Sequence, residues 1–416
     1  MASLADKLQP STILKVAGEI RAMLAAGKDV CDLTVGDFDP KYFPIPEKLR
    51  DAAKKALDEG ATNYPPSNGI LKLRESVQRF YARHLGLQYP IDSILIAAGA
   101  RPLIYALFRV VVEPGDTVSY PVPCWNYPFY AEILNATGDA VICSPEDAFQ
   151  PRAGALDEAI RKASLLIVNT PLNPAGTVTP RAAVLKLSED IVRENEAREK
   201  AGRRPIYLMY DHIYWMLSFG VEHVTPSALV PEMAKYTIFI DGISKGFAAT
   251  GLRVGWAFGP TDVIAKMNIM LMHMGGWAPK PEQTASAVML DDDEAIAKYH
   301  AVLKPALTRR LSALHQGFQK LRAQGHPVDS IEPTGAIYVS ARVHPFGKKA
   351  ANGAEIKTNE DVRRFLLEEA GLGVVPFQAF GVPGDKGWMR LSVGSVSEAQ
   401  IEAGMARLGA ALNAHV

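Results

Sequence analysis

The stretch DGISKGFAATGLRVGW, Asp241 to Trp256, holds a single lysine among glycines, alanines and apolar residues, and no other lysine occurs between Lys235 and Lys266. Lysines usually sit on solvated surfaces, and taken alone Lys245 reads as a loop residue. Other polar residues stand in similar places, just after apolar runs. Asp211 follows PIYLMY and opens DHIY, which closes on Tyr214. Asn173 comes after LLIVN, in NTPLNPAG, and Trp125 after DTVSY, in PVPCWNYP. Gly99, Ala100 and Arg101 come after SILIA, Arg253 follows Lys245 in its own stretch, and Arg390 stands in WMRLSVG.

Together these residue types describe one chemistry. A lysine can form a Schiff base with an aldehyde cofactor. An aspartate at a strand end can hold a protonated ring nitrogen, the way a protein tunes pyridoxal phosphate as an electron sink. Asn173 and Tyr214 can donate to the phenolic oxygen of the same ring. Trp125 can stack on its face, adding ~0.5–1.5 kcal/mol beyond burial. The AGAR turn opens a helix whose free N–H groups suit a phosphate, and Arg253 offers that phosphate a charge-assisted partner. Arg390 lies on an apolar strand, and a buried guanidinium needs a partner. Each residue also has a plainer reading. Asp211 would be a strand-end cap, Asn173 a turn residue before Pro174, Trp125 and Tyr127 core aromatics, Arg253 a surface residue. All the plain readings holding at once, in this order, is the less economical account.

For these side chains to meet, the runs before them must lie side by side. Seven short runs are strand candidates: SILIA (from Ser93), DTVSY (from Asp116), DAVIC (from Asp139), LLIVN (from Leu165), PIYLMY (from Pro205), YTIFID (from Tyr236) and RVGWAF (from Arg253). They are apolar on both faces, with helical stretches between most of them. This predicts an α/β fold, a mostly parallel seven-stranded sheet flanked by helices. Ligands of such sheets sit beyond the carboxyl ends of the strands. Upstream, Ile13, Val16, Ile20, Met23 and Leu24 repeat at helical spacing, with Gly27 as a stop. After the loop VGDFDPKYFPIP, Pro46 opens a second helix ending at Gly60. Downstream of DDDE at Asp291, a long helical region is expected to break at Pro305. GAIYVSARV, GVVPF and a final helix, with Ser397 and Gln400 as a capping box, suggest a smaller α+β unit. The expected division is 1–45 packing with the small domain, 46–295 as the large cofactor-binding domain and 296–416 as the small domain.

Composition agrees with a large folded chain and narrows its partners. The 416 residues are 48% hydrophobic, enough for two packed units. Lys+Arg and Asp+Glu both number 45, so the formal net charge is zero. Neither nucleic acid nor an anionic membrane is indicated as a partner. Cys31, Cys124 and Cys143 are scattered without a CxxC pair, which reads as reduced thiols of a cytoplasmic protein with neither a disulfide frame nor a metal site. The N-terminal MASLADKLQPST lacks the pattern of a signal peptide, and no apolar run approaches the ~20 residues of a membrane span.

The motifs resemble those of class I/II pyridoxal-phosphate-dependent aminotransferases, the aspartate aminotransferase-like group of fold type I, from about Ser11 onward. Lys245 matches the Schiff-base lysine, and Arg253 the phosphate arginine. Asp211 and Tyr214 in DHIY match an Asp-Glu-Ile-Tyr motif, and Asn173 the asparagine beside the phenolic oxygen. Trp125 matches the stacking aromatic. Tyr64 in NYPPSNG matches a tyrosine that reaches across a dimer interface to the neighbour's phosphate. Arg390 matches the arginine that grips the substrate carboxylate, and Gly36 in TVGDFDP a glycine near it. Gly99, Ala100, Arg101 and Ser244 fall in the matching phosphate segments. The resemblance implies a homodimer with its active site at the interface, and transfer of amino groups between L-amino acids and 2-oxo acids. There are departures. Gly242 replaces a phosphate-binding Ser, His212 stands where Glu is usual, and Phe377 and Gln378 replace Gly-Ser.

Substrate choice stays open at this level. The resemblance suggests aspartate or glutamate, with Arg101 placed like a basic residue that meets a distal carboxylate. HMGGWAPKPEQ has no arginine, and Lys280 is its only fixed cation. Phe38, Tyr42, Phe43 and Trp277 could instead line an apolar pocket for an aromatic or broad-range enzyme. A C–S lyase would use the same residues. A non-enzyme sensor would need a DNA-binding domain ahead of the matching region, which leaves no room for one.

Overall fold

The computed structural model describes residues 12–415. The N-terminal MASLADKLQPS and the side chains of Ile13 and Leu24 lie outside the described residues. A two-residue strand β1 (Cys31–Asp32) comes first. All seven apolar runs then form strands: β2 (Ile94–Ala97), β3 (Thr117–Val122), β4 (Thr137–Ile142), β5 (Leu165–Asn169), β6 (Tyr207–Asp211), β7 (Thr237–Gly242) and β8 (Gly255–Phe258). They make one sheet in the order β2-β8-β7-β6-β5-β3-β4. β3 to β7 are parallel, and β8 runs antiparallel to both of its neighbours.

Burial on both faces explains the strands' composition. β5, β7 and β8 are buried at every residue, so they alternate no polar side. The edge strand β4 is mostly exposed or half-buried. Successive side chains point to opposite faces and feed two cores. Tyr210 joins Phe80, Phe239 and Trp256 on one face, while Met209 joins Phe108, Ile167 and Ile240 on the other.

A third core lies under a four-stranded antiparallel sheet of β9 (Val328–Ser330), β10 (Tyr338–Val343), β12 (Val375–Pro376) and β13 (Trp388–Ser392), in the order β12-β13-β10-β9. The expected break at Pro305 does not occur: one helix runs from Asp293 to Ala323 with Pro305 inside it. Leu303 and Leu307, on either side of the proline, are both buried in this core with Leu311, Leu314 and Phe318. Their burial, about 1.5–3 kcal/mol per side chain, offsets the backbone bond that proline cannot make. The N-terminal segment joins this side of the molecule. β1 pairs in parallel with β11 (Leu372–Gly373), and Val16, Ile20 and Val30 pack on Leu367. The last helix begins with the foreseen capping box: Ser397 N–H donates to Gln400 Oε1 (2.9 Å) and Gln400 N–H to Ser397 Oγ (3.1 Å). A helix at Asn359–Ala370, capped reciprocally by Thr358 and Asp361, belongs to the same unit and is an addition to the sequence reading.

Candidate active site

The carboxyl ends of the parallel strands meet one edge of the large sheet, and the segments that follow them line a cavity of about 380 Å³. Asp211 is the last residue of β6, and Tyr214 follows it. Ser244 and Lys245 come just after β7. Asn173 lies in the loop after β5, Trp125 in the loop after β3, and Ala100 and Arg101 begin the helix after β2. β8 runs the other way, so its beginning lies at this edge, and Arg253 stands just before it. Arg390 enters from the other sheet. It sits on β13, paired with Ser340 of β10 and Val375 of β12. Gly36 completes the wall from the N-terminal segment.

Of the residues singled out from sequence, Lys245, Asp211, Tyr214, Asn173, Trp125, Arg253, Ala100, Arg101, Ser244, Arg390 and Gly36 thus line one cavity. Gly99 does not line it but supports it. Its φ is 86°, and a Cβ there would run into the Arg253 guanidinium. Tyr64 is elsewhere: it is 83% exposed and packs edge-on against Trp277, with centroids 5.3 Å apart. Neither Phe38, Tyr42, Phe43 nor Trp277 lines the cavity. Phe38 and Phe43 are core residues in an edge-on pair, and Arg310 lies over the Tyr42 and Phe43 rings. The four do not together line this cavity, although the Phe38 ring centre lies 5.9 Å from Lys245 Nζ. Lys280 is occupied with Asn63 Oδ1 at 2.5 Å.

Eight further lining residues were not assigned from sequence, and four of them bear on the site's polar network. Tyr127, read as core, is buried, yet its hydroxyl donates to Asp211 Oδ2 at 2.6 Å. Asn169 is the last residue of β5. It donates to the Asp211 carbonyl (2.9 Å) and accepts from Asn173 N–H (2.9 Å), so it fixes two neighbours at once. Tyr338 shares a 2.6 Å hydrogen bond with the Tyr214 hydroxyl. Asp37 accepts from Thr250 Oγ1 at 2.6 Å. A polar residue ending an apolar run was the available signal for Asn169; the others show only in three dimensions.

The charges in the cavity lack ordinary partners. Arg390 is 2% exposed and pairs with no described carboxylate. It donates to Asn173 Oδ1 (3.1 Å) and the Thr34 carbonyl, stacks between the Tyr338 and Phe380 rings, and leaves Nε without an acceptor. Burial holds its pKa below the usual guanidinium value. Arg253 donates only to the carbonyls of Thr250 (2.7 Å) and Ala98 (3.1 Å). Its backbone is left-handed at φ 56°, a conformation rare for a side-chain-bearing residue. Asp211 faces no described cation. Burial pushes its carboxyl up to about 6, against the Tyr127 and Ile213 donors that hold it down. Lys245 Nζ donates to the Gly36 carbonyl at 2.6 Å. Burial lowers its pKa to about 8; Asp37 opposes that shift, and Arg390, Arg253 and Arg101 add to it.

These vacant valences suit a ring with a basic nitrogen at one end and a phosphate at the other. Asp211 is a buried carboxylate without a cation, Arg253 is a cation without an anion, and the Ala100 helix presents free N–H groups beside it. Gly242 is a real departure from the phosphate pattern. A Cβ there would meet the Val254 carbonyl oxygen at 2.6 Å and Gly255 Cα at 2.8 Å, so β8 leaves no room for a serine.

Fold and cavity together define an enzyme built to hold pyridoxal phosphate against an amine. Residues 28–408 match the family profile "Aminotransferase class I and II", and the chain belongs to that family of pyridoxal-phosphate-dependent aminotransferases, acting on amino acids and 2-oxo acids. It is 30% identical over 385 residues to an aspartate aminotransferase of Geobacillus stearothermophilus, covering 90% of each chain. It is equally, 30%, identical over 379 residues to a probable aspartate/prephenate aminotransferase of Thermus aquaticus, covering 90% of this chain and 91% of the relative. Among solved structures, the aspartate aminotransferase of Thermus thermophilus with maleate superposes with a TM-score of 0.87 at 28% identity over 99% of both chains.

Proposed function

We propose that this aminotransferase is of the aspartate type, moving the amino group between L-aspartate or L-glutamate and a 2-oxo acid in a ping-pong cycle. The observation that carries the reading is the pair of unneutralised guanidinium groups, Arg390 and Arg101, in one cavity with Lys245. Arg390 would take the α-carboxylate and Arg101 the distal one. Arg101 makes no ion pair with a described residue and lies 4.7 Å from the Trp125 ring centre, where stacking limits its freedom. The names of the relatives from Geobacillus and Thermus support the same substrate class.

Bound pyridoxal phosphate supplies an electron sink conjugated to the substrate carbon. The chain's own residues do the rest. Asp211, once ionised, keeps the ring nitrogen protonated, and Tyr127 holds its carboxylate in place. Asn173 and Tyr214 would donate to the phenolic oxygen, and Trp125 would pack against the ring. Ala100, Ser244, Arg253 and the backbone N–H of Arg101 at the start of its helix would hold the phosphate, leaving the Arg101 guanidinium for the distal carboxylate. Arg390, with Asn173 and Gly36 nearby, would clamp the α-carboxylate and so fix how the substrate's Cα is presented to Lys245 Nζ. Lys245 Nζ takes the Cα proton and later returns it, acting as base and then acid.

We further propose a cytoplasmic homodimer, with Tyr64 of one protomer completing the phosphate site of the other. The exposure of Tyr64, and of Arg253 and Arg101 at the open side of the cavity, supports this arrangement. We retain 46–295 and 296–416 as the two domains, with 1–45 assigned to the smaller through β1 and the Leu367 contacts. A panel of amino donors with 2-oxoglutarate tests the function. Turnover is expected with aspartate, at a kcat/KM well above that with phenylalanine. Preference for aromatic donors would overturn the substrate class, and release of pyruvate and ammonia with no conversion of 2-oxoglutarate to glutamate would identify a lyase.

A further inference from the structure

We propose that Asp37 binds the ammonium group of the amino-acid substrate, and so sets the balance between donor and acceptor binding. The proposal rests on the cavity being the amino-acid site, not on which amino acid enters it. Among the charged residues that line the cavity, Lys245, Arg101, Arg253 and Arg390 are cations, and only Asp211 and Asp37 are acids. Asp211 is committed to the ring end, where Tyr127 holds it. Asp37 has no part in the chemistry so far. Its Oδ1 accepts from Thr250 Oγ1 (2.6 Å) and from Phe38 N–H (2.8 Å), and neither bond uses Oδ2. No described cation lies within ion-pair distance of it, although its charge reaches Lys245 and opposes the lowering of that pKa.

The backbone around Asp37 is fixed from both sides of the cavity. Asp39 N–H donates to the Gly394 carbonyl at 2.9 Å, and a Cβ at Gly394 would run into the Asp37 carbonyl. The neighbouring Gly36 carbonyl receives Lys245 Nζ. The Gly36 carbonyl thus accepts from the lysine nitrogen, and the Asp37 carboxylate lies beyond ion-pair distance of that nitrogen but near enough for its charge to act on it; such acceptors suit an ammonium, which has only donors. An amino-acid substrate must bring its own nitrogen into the part of the cavity that Gly36, Asp37 and Lys245 line, and it arrives protonated. Its two charges then have separate partners, the carboxylate at Arg390 and the ammonium at Asp37. A 2-oxo acid keeps the carboxylate but has no ammonium. Asp37 gives it nothing, and repels it if it carries a second carboxylate.

The two half-reactions therefore provide the test, run with whichever donor and oxo acid the panel identifies. Asp37→Asn keeps an oxygen for Thr250 and Phe38 while removing the charge. KM for the amino donor is expected to rise roughly tenfold or more, the loss of one charge-assisted hydrogen bond, while KM for the oxo acid stays level or falls. Asp37→Glu, which retains the charge, should lie nearer the wild-type ratio. Equal changes in both KM values, no change in either, or identical behaviour of the Asn and Glu variants would overturn the proposal. A purely structural role in pinning the loop predicts the first of these. Failure of the dicarboxylate reading appears separately, in the donor panel.

Discussion

Lys245 is neutral far more often at pH 7 than a surface lysine, because burial lowers its pKa to about 8. It is protonated below that value and reactive above it. In cofactor-free protein, the rate of its reaction with pyridoxal phosphate should climb as pH rises through about 8, and a climb delayed beyond pH 10 would refute the assignment. Lys245→Ala should abolish turnover and the cofactor's covalent absorbance band; near-normal transamination by that variant would sink the mechanism. Asp211→Asn is expected to lower kcat by about 10²-fold or more, the scale of a lost acid–base partner, with the protein still folded by circular dichroism. Residues of this kind were legible because they end apolar runs. Tyr127 and Asp37 were not, since the hydroxyl partner of Tyr127 lies 84 positions away at Asp211, and that of Asp37 lies 213 positions away at Thr250. Sequence showed Tyr127 as an apolar ring to be buried, and nothing local shows what its oxygen will meet.

Among the elements, the reversed strand β8 explains why Arg253, the proposed phosphate ligand, precedes a strand while its companions in the cavity follow theirs. Its close pairing with β7 also explains Gly242. Gly242→Ser, which restores the family's usual residue, should destabilise the protein by about 1–3 kcal/mol, the range for overpacking. Denaturant midpoints and the cofactor dissociation rate would show it, and a more stable variant that binds cofactor more tightly would contradict the packing argument. All seven strands of the large sheet were legible from short runs of apolar residues. The helix through Pro305 was not. A proline reads as a stop in sequence, but here the leucines before and after it are buried in one core, and tertiary packing outweighs the local preference.

At the scale of the whole molecule, the parallel-sheet architecture was legible because strands buried on both faces have a distinctive composition. How the two ends of the chain meet was less so: β1 and β11 have two residues each, too few to carry a periodic signal. The proposed dimer predicts a particle of twice the 45.2 kDa chain mass by light scattering, and Tyr64→Phe should speed cofactor loss. A monomer with full activity would remove Tyr64 from the site. The cavity wall draws on Gly36 near one end of the chain and on Arg390 near the other. A chain still emerging from the ribosome therefore lacks Arg390, the proposed substrate clamp, until almost its last described helix, whatever the large sheet has already achieved. Ligands that hold only the finished site favour the completed fold by mass action, so substrate and cofactor act as inspectors of a protein whose assembly must be whole before it can work.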